Sequence, residues 1–303
     1  MKIIWKHGLA LLVAILVWVS PLYAGSYSFK IIDFPYASGG TVAYGINNAG
    51  QIVGEYSWSG YDVDGFIWEN GVYTHIDVPG SQGTSCTGIN NVGQIVGSFT
   101  NLEGRHGFVK TGDSFAVIDY PDSQATNCSG INQAGDIVGF YEDQNSDYYG
   151  FVKVNETFTT LPDNPGHDSP IAHGINDAGI ISGEYGIISM SPKGFVYHNG
   201  SYTDIFFPSS WATFVYGINN KGHIVGECAA GIGSQGFVKI GETYTAIAFP
   251  EAIETAAKGI NDAGQVVGYY IDKDYKFHGF LATPVNPLPV NPLATILLLL
   301  LDD

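Results

Sequence analysis

One ten-residue phrase is written six times in this chain, and the repetition constrains the fold more than any other feature. It reads GINNAGQIVG from Gly45, GINNVGQIVG from Gly88, GINQAGDIVG from Gly130, GINDAGIISG from Gly174, GINNKGHIVG from Gly217 and GINDAGQVVG from Gly259. The copies lie 43, 42, 44, 43 and 42 residues apart, a spacing within the range of propeller blades. Each unit holds four short strand-like pieces, which in the first are TVAYGIN, QIVGEY, DGFIWE and VYTHIDVP. Alternation and β-branched or aromatic residues mark them as strands, and no stretch of helical period competes.

The turns follow from the residues between these pieces. Asn47-Asn48-Ala49-Gly50 suits a type I turn followed by a glycine in the left-handed region, and Glu69-Asn70-Gly71 joins the third piece to the fourth. Gly54 and its five equivalents stand inside a strand, where glycine marks close approach by a backbone or a large ring. Each third piece carries Gly-Phe (Phe66, Phe108, Phe151, Phe195, Phe237, Phe280), so these rings are expected to cover the strand glycines.

The two ends are offset by one strand. The sixth unit stops after its third piece at HGFLATP (His278–Pro284), and the missing fourth lies at the start of the chain in SFKIIDFP (Ser28–Pro35). An N-terminal strand that completes the last blade removes the free edge of a ring. The expected fold is therefore all-β: a six-bladed β-propeller of four antiparallel strands per blade, closed by the N-terminal strand, over 25–284.

The phrase GINNAGQIVG…GF resembles the HAF repeat of secreted bacterial proteins, and the resemblance runs from Ser28 to Pro284. The family's His-Ala-Phe falls on His106-Gly107-Phe108 and His278-Gly279-Phe280; the other four units lack the His, and Gly replaces Ala throughout. The resemblance implies an extracytoplasmic repeat protein and brings no activity with it.

Residues 1–24 read as a secretory leader: Lys2 and Lys6, the apolar run Leu9–Val19, then SPLYA ending at Ala24. Leu22 is large for the position two before a cleavage site, and an uncleaved N-terminal anchor is the alternative reading. Cleavage removes two lysines and takes the net charge from −17 to −19. So acidic a chain repels a phosphate backbone, which argues against nucleic-acid partners. In 285–303 a Pro-rich linker precedes Leu293–Leu301, nine apolar residues where a membrane span needs about 20. That tail reads as a degraded sorting signal or a frayed terminus.

Three cysteines make no disulfide framework. Cys86 and Cys128 occupy a slot held in the other units by Ala43, Ala172, Val215 and Ala257, which marks it as small and buried; a bridge between the two is the oxidised alternative. Cys228 stands where other units have an aromatic residue and reads as core.

Both tight turns fall on one face of such a disc, and the variable loops on the other, where function is expected. Rings there suited to stacking on a sugar or meeting a protein are Trp58, Tyr61, Tyr148, Tyr149, Trp211 and Tyr275, with Phe277 beside them. Glu55, Glu184 and Glu227 share one position at the end of the second strand and, with Asp62 and Asp64, form the candidate oxygen ligands for Ca2+; no other cofactor is implied. The loop PDNPGHDSPIAHG brings Asp163, His167, Asp168 and His173 close in sequence, residues able to bind zinc or transfer a proton.

Three functional readings follow. The first is a secreted non-catalytic propeller that binds a glycan, a surface polymer or a protein through the variable-loop face. The second is a polysaccharide hydrolase or lyase using His167, His173 and nearby carboxylates. The third is a purely structural surface protein. A sialidase is excluded because Arg105 is the sole arginine, and no Gly-x-Ser-x-Gly, Cys-x-x-Cys, P-loop or His-Glu-x-x-His motif occurs.

Overall fold

The computed structural model describes residues 27–58, 63–186, 192–229 and 233–285. The leader at 1–24, Tyr61, Asp62 and the tail beyond 285 lie outside the described residues. Among the described residues the fold is all-β, in antiparallel sheets arranged in the manner of a β-propeller.

Strand β1 (Tyr27–Ile31) precedes the first full unit, β2 (Gly40–Ile46), β3 (Ile52–Ser57), β4 (Val63–Glu69) and β5 (Val72–Ile76). The second unit is β6 (Gly83–Ile89), β7 (Ile95–Thr100), β8 (Arg105–Thr111) and β9 (Ser114–Ile118). The third is β10 (Ala125–Ile131), β11 (Ile137–Glu142), β12 (Tyr148–Val154) and β13 (Thr157–Thr160). The fourth is β14 (Pro170–Ile175), β15 (Ile181–Tyr185), β16 (Lys193–His198) and β17 (Ser201–Ile205). Then come β18 (Ala212–Ile218), β19 (Ile224–Ala229), β20 (Ser234–Ile240) and β21 (Thr243–Ile247), and finally β22 (Glu254–Ile260), β23 (Val266–Ile271) and β24 (Phe277–Pro284).

Strands pair with their sequence neighbours inside each unit, and one parallel bridge between Arg105 and Ala125 joins the second and third units into an eight-stranded sheet. The last sheet runs β1-β24-β23-β22, with Tyr27 opposite Pro284 and Ile31 opposite Phe280. The N-terminal strand therefore supplies the strand that the sixth unit lacks.

The repeated phrase makes a turn and two kinds of lateral contact. Gly50 lies at φ 79°, in the left-handed region the turn requires. Asn47 caps that turn: its Oδ1 accepts from the N–H of Ala49 (3.1 Å) and of Gln51 (3.0 Å). The same side chain reaches sideways, Nδ2 donating to the carbonyl of Asn90 in the next unit (3.1 Å). Asn90 donates in turn to Asn132 O, Asn132 to Asn176 O, Asn176 to Asn219 O, Asn219 to Asn261 O, and Asn261 to Asn47 O. One residue further on, backbone N–H groups and side-chain oxygens repeat the pattern, from Asn48 N to Asn91 Oδ1 (2.8 Å) through to Asp262 N donating to Asn48 Oδ1 (2.9 Å).

The leading glycine of the phrase is the second contact. A Cβ on Gly130 would stand 3.2 Å from the Cα of Gly174, and one on Gly259 would stand 3.3 Å from the Cα of Gly45. Any side chain here would hold neighbouring strands apart.

The core lies between sheets. Phe66, Phe108, Phe151, Phe195, Phe237 and Phe280 are fully buried, and a Cβ on Gly54 would meet the ring of Phe66 at 2.8 Å; Phe108, Phe195, Phe237 and Phe280 likewise cover Gly97, Gly183, Gly226 and Gly268 of their own units. The next glycine contact reaches across units: a Cβ on Gly65 would meet Cys86 Sγ at 2.7 Å, and one on Gly107 would meet Cys128 Sγ at 2.6 Å. Cys86, Cys128 and Cys228 are free thiols, all fully buried. The buried cluster of Ala43, Tyr56 and Phe66 includes Val267 of the sixth unit.

Candidate functional site

Every first strand carries a register shift one residue before its phrase. It falls between Ala43 and Gly45, and likewise between Cys86 and Gly88, Cys128 and Gly130, Ala172 and Gly174, Val215 and Gly217, and Ala257 and Gly259. The extra residues are Tyr44, Thr87, Ser129, His173, Tyr216 and Lys258. A bulge re-aims a side chain that regular alternation would send elsewhere, and here all six line one cavity of about 990 Å3.

Three of these residues meet a glutamate from the second strand of their own unit. Tyr44 Oη donates to Glu55 Oε1 (2.9 Å), and Tyr216 Oη donates to Glu227 Oε2 (3.4 Å). His173 Nε2 stands 3.3 Å from Glu184 Oε1, and the Glu184 side chain is buried behind it. Burial, reinforced by the adjacent carboxylate, holds both phenols well above their ordinary range. Lys258 Nζ lies 3.3 Å from the centroid of the Tyr216 ring and 5.5 Å from that of Tyr269, a cation held between aromatic faces. Burial pushes its ammonium down to about 8 against the opposing field of Glu227, Glu184 and Glu55.

The three glutamates assigned to a cation thus each serve a neighbouring bulge residue, and among the described residues no three His, Cys, Asp or Glu side chains form a metal-holding group. Asp64 lies in β4 opposite Tyr56. The two loop histidines have separate surroundings. His167 stacks on Tyr185 (ring centroids 4.2 Å apart) and faces Asp204 at 3.5 Å, whereas His173 faces Glu184 and the edge of Tyr216. Asp163 and Asp168 are exposed, the latter with its carboxylate against Gly186. This loop differs from its counterparts for a local reason. In the other units a threonine hydroxyl accepts the N–H of the residue just ahead of the proline that follows the fourth strand, as Thr41 does from Phe34 and Thr213 from Phe207; the fourth unit has Pro170 in place of that threonine.

Several exposed large apolar side chains stand at the variable-loop end. Tyr36 is 90% exposed, Tyr275 79%, Trp211 56% and Trp58 44%, with Leu102, Ile253 and Phe277 beside them. Trp58 is oriented by edge contacts to Phe34 and Tyr56, and its carbonyl accepts from the Ser38 hydroxyl. Tyr148 and Tyr149 are half-buried, Tyr148 donating to Glu142 Oε2 (3.3 Å) and Tyr149 packing on Tyr141. The cavity reaches the same end: Gln82, Gly83, Thr100 and Arg105, at the loop ends of their strands, line it. Its other end abuts a collar of Ile46, Ile89, Ile131, Ile175, Ile218 and Ile260, which also lines a separate hollow of about 80 Å3 under the asparagines.

His173 stood out in the sequence only as a loop histidine, and Tyr44, Tyr216 and Lys258, which hold the same slot in other units, were given no role. The available signal was that slot itself, a freely varying residue between a small buried position and an invariant glycine.

No family model matches the chain, and no curated protein matches it. Solved structures do. The chain is similar to a mutant Aleuria aurantia lectin in complex with Fucα1-6GlcNAc (TM-score 0.51, 12% identity, covering 86% of this chain and 100% of that one). It is similar to TolB from Acinetobacter baumannii (0.52, 11% identity, 82% of this chain and 64% of that one). A gluconolactonase from Xanthomonas campestris also resembles it (0.50, 12% identity, 88% and 91%). At such identities the likeness concerns the fold alone, and that fold is shared by binding proteins and enzymes.

Proposed function

We propose that this chain is a secreted six-bladed β-propeller of the HAF-repeat kind, closed by its own N-terminal strand, that binds carbohydrate through its variable-loop face. The pairing of β1 with β24 and the asparagine bonds that return from Asn261 to Asn47 support the six-bladed ring. One observation carries the binding reading: Tyr36, Trp58, Trp211 and Tyr275 stand exposed at the end of the sheets where the cavity opens. Flat amphipathic rings on a rigid scaffold are what stacking on sugar faces requires. The fucosylated disaccharide in the similar lectin structure accords with a glycan partner.

The test is a glycan array probed with the wild-type chain and with a Trp58→Ala/Trp211→Ala variant. Wild-type protein is expected to retain a defined set of glycans, and the double variant to bind them at least about tenfold more weakly, or about 1.4 kcal/mol. Equal binding by the variant would show that the face is wrongly chosen. Retention of no glycan would refute the carbohydrate reading.

A further inference from the structure

The residue just ahead of the phrase breaks the repeat's uniformity. It is Tyr, Thr, Ser, His, Tyr and Lys in the six copies, and the bulge turns every one of these side chains to the same cavity. The buried slot beside it accepts only Ala, Val or Cys, and the following glycine never changes. Architecture requires the bulge, but the variety of side chains on it has no architectural cause. That variety is what a recognition surface shows.

The variety is also lopsided. Tyr44, His173, Tyr216 and Lys258 are bulky and crowd one side of the cavity, whereas Thr87 and Ser129 leave space on the other. Ser85 and Ser98 continue the small side in the second unit, and Phe140 lines it in the third. At about 990 Å3 it stands at the upper end of the range of small-molecule sites, about 300–1,000 Å3. The isoleucine collar and the asparagine bonds stand at its inner end, so a ligand enters from the loop face.

Charge selects the class of ligand. Glu55, Lys258 and Arg105 line the cavity, and Glu184 and Glu227 stand behind His173 and Tyr216, so an anionic group meets three carboxylates. A cationic group meets the ammonium of Lys258 and the guanidinium of Arg105. A neutral polyol meets neither obstacle: its hydroxyls can donate to Glu55 and Thr87 and accept from Lys258 and Ser129. We infer that the cavity is an end-on subsite for the terminal residue of a neutral glycan, the rest of whose chain lies over the aromatic loop face. This rests on the carbohydrate reading above and adds which part of the glycan is read, and where.

The experiment fills the open side of the cavity with residues the scaffold already accepts. Tyr44 and Tyr216 occupy the bulge position in two units, so Thr87→Tyr/Ser129→Tyr preserves the fold, and Ser129→His, which copies the residue found at His173, is the milder second variant. Neutral fucosyl-, galactosyl- and glucosyl-terminated oligosaccharides, each paired with the same chain lacking its terminal residue, and acidic uronate oligosaccharides are titrated into each protein. The expected result has three parts: at least tenfold weaker binding by the double variant with an unchanged thermal midpoint, at least tenfold weaker binding of the trimmed oligosaccharides to wild type, and weaker binding of the uronates. If the filled variants bind like wild type, or trimming makes no difference, the end-on subsite is overturned and the aromatic-face reading survives. Tighter binding of the uronates overturns the neutral class. If wild type binds no oligosaccharide while Trp58→Ala/Trp211→Ala is equally silent, both readings fall together.

Discussion

Replacing Asn47 tests how the repeated phrase holds neighbouring units together. The buried side chain makes four hydrogen bonds. It accepts from Ala49 N–H (3.1 Å) and Gln51 N–H (3.0 Å), and it donates to Gln51 Oε1 (2.7 Å) and to Asn90 O in the next unit (3.1 Å). Each such bond contributes about 1 kcal/mol net, but Asn47→Ala does not cost the full sum. Ala49 is exposed and takes water, and Asn90 O keeps the N–H of Gly93. Two effective losses remain, so the expected destabilisation is about 2–3 kcal/mol, or roughly 5 °C in Tm for a domain of this size.

Asn47→Asp separates the turn from the lateral bond. It keeps both acceptor bonds but sets a carboxylate against the Asn90 carbonyl, where the amide had donated. The variant is expected to be as weak as Asn47→Ala at neutral pH. It should recover part of the loss in acid, because a protonated carboxyl regains one donor and its folded-state affinity for the proton is raised. Urea denaturation monitored by tryptophan fluorescence at several pH values reads all three proteins. An Asn47→Ala variant within about 0.5 kcal/mol of wild type, the spread of neutral surface changes, or an Asn47→Asp variant of full stability at neutral pH, would refute the lateral-amide account.

Gly130→Ala should destabilise by about 1–3 kcal/mol or more, since its Cβ would stand 2.8 Å from His173 O, an atom of rigid backbone; equal urea midpoints would contradict this packing. His278 bridges Asp33 beside the N-terminal strand (2.7 Å) and Asp272 (3.2 Å); burial opposes its charge, but those two carboxylates outweigh it and raise its pKa. The ion-paired stabilisation is therefore full below about pH 6.5 and lost as pH rises through the raised folded value. The Tm difference between wild type and His278→Gln should shrink from about pH 6 to pH 8.5, and a constant difference would show that the imidazolium is not the stabilising form. Burial pushes the thiols of Cys86 and Cys128 far up, so neither should react with a disulfide reagent until the chain unfolds; rapid labelling of either in the native protein would contradict their placement.

The scaffold was largely legible in the sequence because its signals are local or repeat at a fixed offset. The Asn-x-x-Gly turns, the small slot at Cys86 and Cys128, the pairing of Phe66 with Gly54 and the displaced strand at Ser28–Pro35 each reduce to residue type and spacing. The candidate site was less legible. A single-residue bulge leaves no trace in alternation, so alternation did not mark Tyr44, Tyr216 or Lys258 as facing a cavity, and only the variability of their slot hinted at it. Glu55, Glu184 and Glu227 sit at equivalent positions and suggested a shared cation, but each is engaged by the bulge residue of its own unit, a partner eleven residues earlier in the chain. His167 and His173 are six residues apart, yet the bulge at His173 separates their surroundings. The lateral reach of Asn47 was hidden for a further reason, since capping its own turn already accounts for an asparagine there.

Hydrogen-exchange mass spectrometry on β1 tests the ring most directly. If Tyr27–Ile31 closes a six-bladed ring by pairing with β24, its amides should be protected as strongly as those of the other outer strands, such as β5 and β21. They should also be lost in the same cooperative step as the rest of the domain. Free exchange of the β1 peptide in the native state, or stepwise loss of protection from the two ends as in an open repeat array, would contradict a closed propeller.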